Sequence, residues 1–560
     1  KGNVILYEYK KEDGAGLSPK PIYEKNRHAY AQTYLKRVLY GNTVPYQDAA
    51  FAAQNEWLYS LVFDYGEHWQ SGDANTHYEE QYLWPPRPDI FSSFRSGFDI
   101  RTYRLCRRIL MFHHFEAELG VKNYLVKATH FDFEENPIAT LLKSVTHTGY
   151  RIDEQGNYVS KSFPPVTFAY SQQKIDEGIY SIPAEDLPNV PQGIDGQQYQ
   201  FNDLYGEGIN GILKQNGTAW YYKRNLGDGR FGPQELLAET PSLSAGAQVQ
   251  ITDFGGDGLT DMLVQTGDLN GYFELSEEGE WSHFRPFAHP VNFSLNDPAL
   301  RMIDLDGNGM PDLMITEDDC FVWYPADARD GYKAARRVAK ALDEESGPRV
   351  VFNEAFQTIF LADMSGDGLT DIVRIRNGEV CYWANMGYGR FSAKITMQGA
   401  PHFDLPDQYD PGRLRLTDID GSGPTDILYL GGNDIRYWLN QSGNSWSEAK
   451  IIRHFPKTTN LHTVSVFDLL GNGTACIVWA SPLPAEANTP MKYIQLMGNS
   501  RVEGNKPYLL KEVNNNMGAV TRLKYESSTK FYLEDKQQGR PWITKLPFPV
   551  QVLVRQEVYD

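Results

Sequence analysis

A nine-residue pattern rich in aspartate and glycine occurs six times in the chain and limits its fold more than any other feature. The copies are DLYGEGING from Asp203, DFGGDGLTD from Asp253, DLDGNGMPD from Asp304, DMSGDGLTD from Asp363, DIDGSGPTD from Asp418 and DLLGNGTAC from Asp468. Successive copies are 50, 51, 59, 55 and 50 residues apart. A period of this size is typical of folds in which one supersecondary unit is stacked several times.

Short apolar runs flank the copies of this pattern. An alternating run such as AQVQIT enters the loop, an apolar run such as DMLVQ or DILYL leaves it, and a turn then leads to an aromatic run such as FVWY or IRYW. Short runs of this kind, bounded by Gly, Asn and Asp turns, are typical of β-strands. Each unit therefore predicts about four antiparallel strands, which is one blade of a β-propeller.

We expect an all-β chain in which six blades form a ring. The copies from Asp203 and Asp468 end in Gly211 and Cys476 instead of an acid, so five blades plus an irregular unit is the alternative. If the ring closes, these two copies become neighbours and should form its less regular side. Because each blade needs an apolar face to stack on the next one, the aromatic runs should pack between blades. The tryptophans at matching positions are Trp220, Trp323, Trp383 and Trp438.

Two of the loops carry side-chain oxygens at their first, third, fifth and ninth positions, as a calcium-binding loop would. Glycines between these positions permit the positive φ angles that such a curled loop needs. Carboxylate, amide and hydroxyl oxygens are hard ligands of the kind that Ca²⁺ prefers. The candidate ligands are Asp304, Asp306, Asn308 and Asp312 in the third copy, and Asp418, Asp420, Ser422 and Asp426 in the fifth.

The competing interpretation of these loops needs no metal. Aspartate side chains in tight turns accept hydrogen bonds from backbone N–H groups and so fix the turn. The ligand set is uneven, because the second and fourth copies have Gly255 and Ser365 at the third position. This unevenness favours the turn interpretation. The predicted fold therefore requires no cofactor, and calcium is the one that the two complete loops could hold.

No motif in the sequence indicates an enzyme. The chain contains no G-x-S-x-G, H-E-x-x-H or P-loop sequence, and FGGDGL is too irregular for a dinucleotide fingerprint. His113 and His114 lie in an alternating run, so their side chains should point to opposite faces of a strand and cannot share one metal. We expect neither catalytic nor cofactor-binding residues.

Charge and composition limit the partners. The chain has 53 basic and 72 acidic residues, a net charge of −19, which disfavours binding to a nucleic-acid backbone. No run approaches the roughly eighteen apolar residues of a membrane-spanning helix, so no direct membrane insertion is predicted. The four cysteines lie far apart in no metal-binding or disulfide pattern, and we expect all of them to be unpaired.

The flanks of the repeats predict further β-structure. Residues 1–185 hold strand runs separated by turns, residues 186–194 form a linker rich in Pro, Asp and Gln, the propeller occupies residues 195–510, and strands resume in residues 511–560. The sequence starts at Lys1 with a strand-like run and lacks an initiator methionine, so we expect it to be a fragment of a longer polypeptide.

Three segments at and around the ends of the propeller resemble one known family. They are PIATLLKSVTHTGYRIDEQGNYVSKSFPPVTFAYS at residues 137–171, the entry LPNVPQGIDGQQYQFNDLYGEGINGILKQNGTAWYYKRNLGDGRFGP, and the exit NNNMGAVTRLKYESSTKFYLEDKQQGRPWITKLPFPVQVLV. These segments are similar to the B component of bacterial insecticidal toxin complexes, the Tc toxins. The front part of that component is also similar to the amino-terminal region of the Salmonella virulence protein SpvB. The Asp/Gly repeats alone would fit many propellers of the FG-GAP or VCBS type.

This resemblance implies a structural part of a secreted toxin complex with three components. In the family, the B component and the amino-terminal part of the C component form a closed shell of Rhs-type β-sheet around the unfolded toxic tail of C. The propeller plugs this shell, docks on the pentameric, pore-forming A component, and opens so that the tail can pass. Residues 1–185 would then be an SpvB-like shell segment, and residues 511–560 the start of the Rhs shell.

Two other functions compete with this one. An adhesion or glycan-binding propeller braced by calcium would be favoured by complete acidic ligand sets in three or four consecutive loops. A propeller-based lyase or hydrolase would need His, Tyr, Arg or carboxylate side chains that converge on one face of the ring. Only two loops are complete and no catalytic motif is present, so the toxin-complex function is the leading hypothesis.

Overall fold

The computed structural model describes residues 2–27, 31–46, 56–68, 78–173, 175, 178–188, 199–216, 219–237, 241, 247–266, 269–276, 278–289, 291–354, 356–432, 434–459, 461–497 and 506–560. Within these ranges strands dominate, and the predicted all-β class is confirmed. The helices are α1 (Glu116–Leu119) and α2 (Ser528–Gln537), with one-turn 3-10 helices at Ile22–Glu24, Ala184–Asp186, Ala328–Asp330, Pro411–Arg413 and Pro484–Glu486. The predicted linker at residues 186–194 lies outside the described residues from residue 189 onward.

The two flanks of the propeller together form one large antiparallel sheet. The strands outside the propeller are β1 (Leu6–Lys11), β2 (Thr33–Asn42), β3 (Trp57–Asp64), β4 (Phe91–Ser93), β5 (Ile100–Thr102), β6 (Arg108–His113), β7 (Tyr124–Glu134), β8 (Leu141–Ile152), β9 (Tyr158–Ser162), β10 (Val166–Tyr170), β37 (Leu510–Asn514), β38 (Val520–Ser527) and β39 (Gln551–Tyr559). The large sheet has the order β1-β2-β3-β6-β7-β8-β10-β37-β38-β39, with β9 paired to β8, while β4 and β5 form a separate hairpin.

Alternation of side chains gives the large sheet one buried face. In β3 and β6 the residues Val62, Leu110 and Phe112 are buried, and they form one cluster with Leu125 and Ala128 of β7. Successive side chains of a strand point to opposite faces, so the residues between these positions form the second face, which is partly exposed.

Six four-stranded antiparallel sheets lie between β10 and β37 in the described part of the chain. Blade 1 contains β12 (Tyr199–Asn202), β13 (Gly211–Asn216), β14 (Ala219–Asn225) and β15 (Phe231–Leu236). Blade 2 contains β16 (Gln248–Thr252), β17 (Asp261–Thr266), β18 (Leu269–Glu274) and β19 (Arg285–Pro286), and blade 3 contains β20 (Leu300–Ile303), β21 (Asp312–Thr316), β22 (Cys320–Tyr324) and β23 (Arg336–Ala339).

The remaining three blades follow the same plan. Blade 4 contains β24 (Ile359–Ala362), β25 (Asp371–Arg376), β26 (Glu379–Trp383) and β27 (Ile395–Thr396). Blade 5 contains β28 (Leu414–Thr417), β29 (Asp426–Leu430), β30 (Ile435–Trp438) and β33 (Lys450–Ile452), with the hairpin β31 (Asn440–Gln441) and β32 (Ser445–Trp446) before its last strand. Blade 6 contains β34 (Thr463–Phe467), β35 (Cys476–Ala480), β36 (Met491–Gln495) and β11 (Tyr180–Ser181).

The ring closes through β11, a strand that precedes the first blade in the sequence. β11 is the outer strand of blade 6, where Tyr180 pairs with Tyr493, although it lies within the segment 1–185 that the sequence assigns to the shell. Both blades with degenerate loops have four strands, so six blades is confirmed and five blades plus an irregular unit is wrong. Blade 6 has its full number of strands, but its outer strand is only two residues long and comes from before the first blade.

Neighbouring blades share apolar cores all the way around the ring. Each of six buried clusters draws its members from two adjacent blades. The predicted packing of the aromatic runs is confirmed: Trp220 lies between blades 1 and 2, Trp323 and Trp383 between blades 3 and 4, and Trp438 between blades 4 and 5.

The propeller is an insertion between two paired strands of the large sheet. The chain leaves the sheet after β10, forms the propeller and returns in β37, which pairs with β10. Ser171 joins the two crossings, since its N–H donates to the Leu509 carbonyl at 2.8 Å and its hydroxyl donates to the Lys506 carbonyl at 2.6 Å. The ring is therefore held at its base by both flanks.

Two other predictions about composition can be compared with the fold. All four cysteines are unpaired, as expected. Neither helix within the described ranges has the length and apolar character that crossing a bilayer requires.

Candidate functional site

The six Asp/Gly loops lie together on one face of the propeller. Each loop joins the first strand of a blade to the second, and the strands within a blade are antiparallel. The third-to-fourth strand connections therefore reach the same face, which we call the loop face. The second-to-third strand turns and the connections between blades reach the other face, which we call the opposite face.

The first aspartate of every loop is fixed by backbone hydrogen bonds. In the second copy, Asp253 accepts from the N–H groups of Gly256 at 2.8 Å and Gly258 at 2.9 Å, one on each carboxylate oxygen. In the third copy, Asp304 likewise accepts from Gly307 at 2.7 Å and Gly309 at 2.8 Å. The other four copies make the same pair of contacts or one displaced by one residue. These are the backbone hydrogen bonds that the turn interpretation predicts.

The ninth aspartate, where it is present, joins the loop to the rest of its blade. Asp312 accepts from the N–H of Leu305 at 3.1 Å with one oxygen and from the N–H of Ala326 at 2.7 Å with the other. Asp371 and Asp426 make equivalent bonds within their blades. In the second copy both bonds of Asp261 go to its own loop.

Glycine at the fourth position lets five of the six loops contact the loop of the next blade. A methyl group on Gly206 would overlap the carbonyl oxygen of Gly258, and one on Gly366 would lie 2.9 Å from the Pro424 ring. Both glycines have positive φ angles, 61° and 77°, which L-residues with a side chain rarely adopt. The same close approach occurs at Gly256, Gly307 and Gly471. The loops thus interlock around the propeller axis.

The interlock is interrupted between blades 5 and 6. A methyl group on Gly421 would meet Lys506 Cε at 3.0 Å instead of the next loop. Lys506 belongs to the segment that carries the chain out of the propeller, and in the same segment the Tyr508 hydroxyl donates to Asp420 at 3.4 Å. The exit of the chain therefore occupies this position in the ring.

The structure brings the predicted calcium ligands together in two carboxylate clusters. Ligand oxygens of Asp304, Asp306 and Asp312 lie within 4.8 Å of one another, and so do those of Asp418, Asp420 and Asp426. The fifth-position residues of these two loops, Asn308 and Ser422, differ in their hydrogen bonds.

Asn308 accepts from the N–H of Met310 at 2.8 Å, whereas the Ser422 hydroxyl is buried without a hydrogen-bond partner. In the third copy, Asp306 Oδ1 is also buried without a partner, which fits a cation there. Calcium binding stays a prediction.

Burial alters the protonation of these carboxyl groups. Desolvation raises the pKa of Asp312 to about 6 and that of Asp418 to about 6, and nearby carboxylates add to both shifts. Burial also raises the pKa of Asp426 well above its usual range. A bound cation would offset the repulsion between these carboxylates and favour their ionised form. Protons would then compete with the cation, so calcium affinity should fall as the pH falls through this range.

Helix α2 and the segment after it cover the loops of blades 6 and 1. Glu207 of blade 1 forms ion pairs with Lys536 of α2 and, at 3.0 Å, with Arg224 of its own blade. The Ser527 hydroxyl donates to the Gly471 carbonyl, and the Gln551 amide donates to the Asn472 carbonyl at 2.7 Å. The two loops that lack the ninth aspartate are thus held from outside the propeller.

Residues from the amino-terminal flank fasten the loop face at blades 4 and 5. Arg101 is fully buried and donates to Glu24 at 2.9 Å and to Asn444 of blade 5 at 2.7 Å. Arg27 donates to Asp99 at 3.0 Å and to the Tyr382 hydroxyl of blade 4 at 3.1 Å. These arginines were not singled out from the sequence, because a long-range buried ion pair leaves no local pattern.

The opposite face carries exposed apolar side chains. They lie on three consecutive blade connections, shortly before the first strand of the next blade, and are Phe356 before blade 4, Leu405 before blade 5 and Leu461 before blade 6, with exposed fractions of 80%, 60% and 62%. Clustered exposed apolar surface on a soluble domain marks a site of interaction.

The histidine pair has structural contacts on separate faces. The His113 ring packs edge-on against Tyr59, with ring centroids 5.0 Å apart. His114 Nε2 lies 2.8 Å from the Ser60 hydroxyl and Nδ1 lies 2.9 Å from Asn123 Oδ1. Because Tyr59 and Ser60 are consecutive in β3, the predicted opposite orientation of the two histidines is confirmed.

Sequence comparisons identify relatives of both flanks. Residues 1–115 match the family described as Salmonella virulence plasmid 65kDa B protein, SpvB, and residues 440–560 match the insecticide toxin TcdB middle/N-terminal region. The chain is 38% identical over 156 residues to the mono(ADP-ribosyl)transferase SpvB of Salmonella typhimurium, which covers 27% of this chain and 26% of SpvB. The matched part is the amino-terminal part of SpvB and not its catalytic domain.

Comparison with solved structures extends the similarity to the whole chain. The Tc holotoxin pore of Photorhabdus luminescens matches 100% of this chain with a TM-score of 0.84 and 28% identity, over 26% of the holotoxin chain. The crystal structure of TcdB2–TccC3 matches with a TM-score of 0.73 and 28% identity, over 27% of its chain. The chain thus spans about a quarter of the length of the proteins that it matches. Its resemblance to the B component of Tc toxins is confirmed.

Proposed function

We propose that the chain is a non-enzymatic part of a secreted toxin-delivery complex, in which its propeller docks on the pore-forming A component. The propeller would also gate the release of the toxic tail of the C component from the shell. The full-length match to the Tc holotoxin pore, with a TM-score of 0.84, carries this proposal. This match supports a part in the shell of such a complex. The contacts between the propeller and the two flanks support the assignment of the propeller as the gate.

The attachment of the propeller favours this arrangement. The loop face is held by Arg27 and Arg101 from the amino-terminal flank and by α2 from the carboxy-terminal flank. These flanks form the large sheet, which would be the wall of the shell. The loop face would then look toward the shell, and the opposite face would look away from it.

The opposite face is accordingly the docking surface in this proposal. Phe356 is 80% exposed there, and exposed apolar side chains on one face of a domain mark a site of interaction. Asp319, in the turn between the second and third strands of blade 3, lies on the same face with its side chain 90% exposed. A complementary surface on the A component would offer apolar pockets rimmed by basic residues.

Gating would use the axis of the ring. The blades hold one another through apolar clusters and through the loop interlock, both of which can be separated without breaking the sheet within a blade. Separation of neighbouring blades would widen the axial passage for an unfolded tail.

Binding to a purified Tc A-component pentamer, measured by biolayer interferometry in matched buffers with calcium and with EDTA, tests this function. We expect tight binding of nanomolar class that is indifferent to calcium. Absence of binding at micromolar concentration in both buffers would contradict the docking function.

Substitutions on the two sides of the molecule sharpen this test. Phe356→Asp together with Leu405→Asp should weaken binding at least tenfold, because each places a charge in an apolar contact. Tyr7→Asp is the matched control, since Tyr7 is 53% exposed on β1 of the large sheet and lies far along the chain from the propeller. If the double variant and the Tyr7→Asp control lost affinity for the A component equally, the docking surface would lie elsewhere.

A further inference from the structure

A small cavity lies on the opposite face of the propeller, between blades 5 and 6. Its volume is about 200 Å³. Its walls are the one-turn helix before blade 5 (Pro411–Arg413), the turn between β29 and β30, and the connection from blade 5 to blade 6. Pockets that enclose a whole small molecule measure about 300–1,000 Å³. This cavity therefore suits a single side chain or functional group.

Arg415, in the first strand of blade 5, brings an unbalanced positive charge to the cavity. Its Nε donates to the Val464 carbonyl of blade 6 at 2.9 Å, and its Nη1 donates to the carbonyls of Gly412 and Leu414, both at 2.8 Å. Among the described residues no carboxylate pairs with Arg415 and no acceptor bonds to its Nη2. Burial alone accordingly lowers the pKa of this guanidinium. A partly buried cation of this kind gives up hydration without gaining an ion pair.

The equivalent arginine of blade 3 shows what is special about this position. Arg301 is the second residue of β20, as Arg415 is of β28. Nη1 of Arg301 likewise donates to two nearby carbonyls, those of Pro298 at 2.8 Å and Leu300 at 2.7 Å. Its Nη2, however, donates to the Phe352 carbonyl in the connection to blade 4 at 3.2 Å. The connection after blade 5 supplies no such carbonyl, so Nη2 of Arg415 stays available to a ligand.

The other charged groups at the cavity add to its positive character. Arg413 lies beside Arg415 in the sequence and also lines the cavity, with its Nε 3.8 Å from Asp410 Oδ2. His462 adds no unpaired charge, because its Nε2 lies 3.5 Å from Glu486 Oε2. Two arginines therefore face one carboxylate, Asp410, and this excess of positive charge attracts an anion.

We propose that this cavity binds a carboxylate group, held by Arg415 and Arg413. Guanidinium groups bind carboxylates through paired N–H donors, and the volume of the cavity admits the side chain of an aspartate or glutamate. The natural occupant rests on the proposed function, because the cavity lies on the face that would dock on the A component. That occupant would be an acidic side chain of the A component.

Saturation-transfer NMR tests the site without a partner protein. The probes are N-acetylglutamate α-amide and its neutral analogue, N-acetylglutamine α-amide, each mixed with the whole chain. We expect a signal at least about threefold larger for the glutamate probe. Arg415→Met should remove this difference, whereas Arg301→Met should keep it, although both variants lose the same kind of bonds to carbonyls. Equal signals from the two probes in the parent, or a difference that persists in Arg415→Met, would overturn the proposal.

Competition identifies the chemistry of the ligand. Acetate should displace the glutamate probe at a lower concentration than inorganic phosphate does. The reverse order would assign the cavity to phosphate groups and would also overturn the proposal.

Arg413→Glu gives an independent measurement that leaves the contacts of Arg415 between blades in place. The Arg413 side chain is 42% exposed and only loosely paired, so the unfolding temperature should match that of the parent. We expect binding to the A-component pentamer to weaken roughly tenfold or more, and the preference for the glutamate probe to be lost. Unchanged binding of both would overturn the site. Failure of the parent to bind the pentamer would contradict the proposed function, while the glutamate probe would still decide the carboxylate site.

Discussion

The loop interlock makes a specific prediction for Gly206→Ala. Gly206 has a φ of 61°, and a methyl group there would overlap the carbonyl oxygen of Gly258 in the next blade. The positive φ alone costs an alanine about 1 kcal/mol. To relieve the overlap the two loops must move apart, although two hydrogen bonds from Thr260 join them, one to the Leu204 carbonyl at 3.2 Å and one to the Asp203 carbonyl at 2.9 Å.

The expected loss can be estimated from these contacts. Each of the two hydrogen bonds contributes about 1 kcal/mol, so Gly206→Ala should lower the free energy of unfolding by about 3 kcal/mol in total. Gly309→Ala is the matched control, since Gly309 occupies the sixth position of another loop with a φ of 85° and no atom lies within 4 Å of an added methyl group. It should cost about 1 kcal/mol from its φ angle alone.

Urea unfolding followed by tryptophan fluorescence measures this difference. Trp220 and Trp281 lie edge to face between blades 1 and 2, with ring centroids 6.1 Å apart, so they report directly on separation of these blades. Equal destabilisation by the two substitutions would refute the interlock, because the overlap would then add nothing to the backbone strain.

Three further predictions concern charged groups. Burial raises the pKa of Asp468 from 3.8 to about 6, so its contribution to stability is complete below pH 3.8 and is lost as the pH rises through 6. Asp468→Asn should remove roughly 3 kcal/mol of this loss, seen as a flatter dependence of the unfolding free energy between pH 3.8 and pH 6; an identical dependence would contradict it. If the two carboxylate clusters hold calcium, 10 mM calcium should raise the unfolding temperature relative to EDTA, Asp306→Asn should reduce the rise, and Asp306→Asn with Asp420→Asn should abolish it; no rise in the parent would contradict the metal prediction. Arg101→Met leaves Glu24 buried without its partner and should cost about 3–5 kcal/mol, whereas adding Glu24→Gln should restore part of it; no cost in the unfolding free energy would show that the pair is dispensable.

The sequence predicts the blades well because their determinants are local. Glycines with positive φ, aspartates that cap their own loops and alternating apolar runs all act within a few residues, as at Asp304 and Gly307. The closing strand could not be predicted from local sequence, because Tyr180–Ser181 is two residues long and becomes a strand only by pairing with β36. The anchor through Arg101 likewise depends on a partner 343 residues away.

The degenerate loops show how a departure from the repeat can indicate an interface. In blade 1 a side chain at Gly211 would overlap the Tyr222 hydroxyl, which donates to the Asn202 carbonyl at 3.0 Å. In blade 6 Cys476 is fully buried in the core shared with blade 1. An aspartate at position 211 would therefore overlap the Tyr222 hydroxyl. An aspartate at position 476 would place a carboxylate in an apolar core.

Support for these two loops comes instead from the carboxy-terminal flank. Ser527 donates to the Gly471 carbonyl, and Lys536 pairs with Glu207. The ninth aspartate is thus absent where the flank braces the ring at the boundary between blades 6 and 1. Irregularity in the repeat marks the place where the carboxy-terminal flank contacts the propeller and not a defect in the blade, and both blades keep four strands.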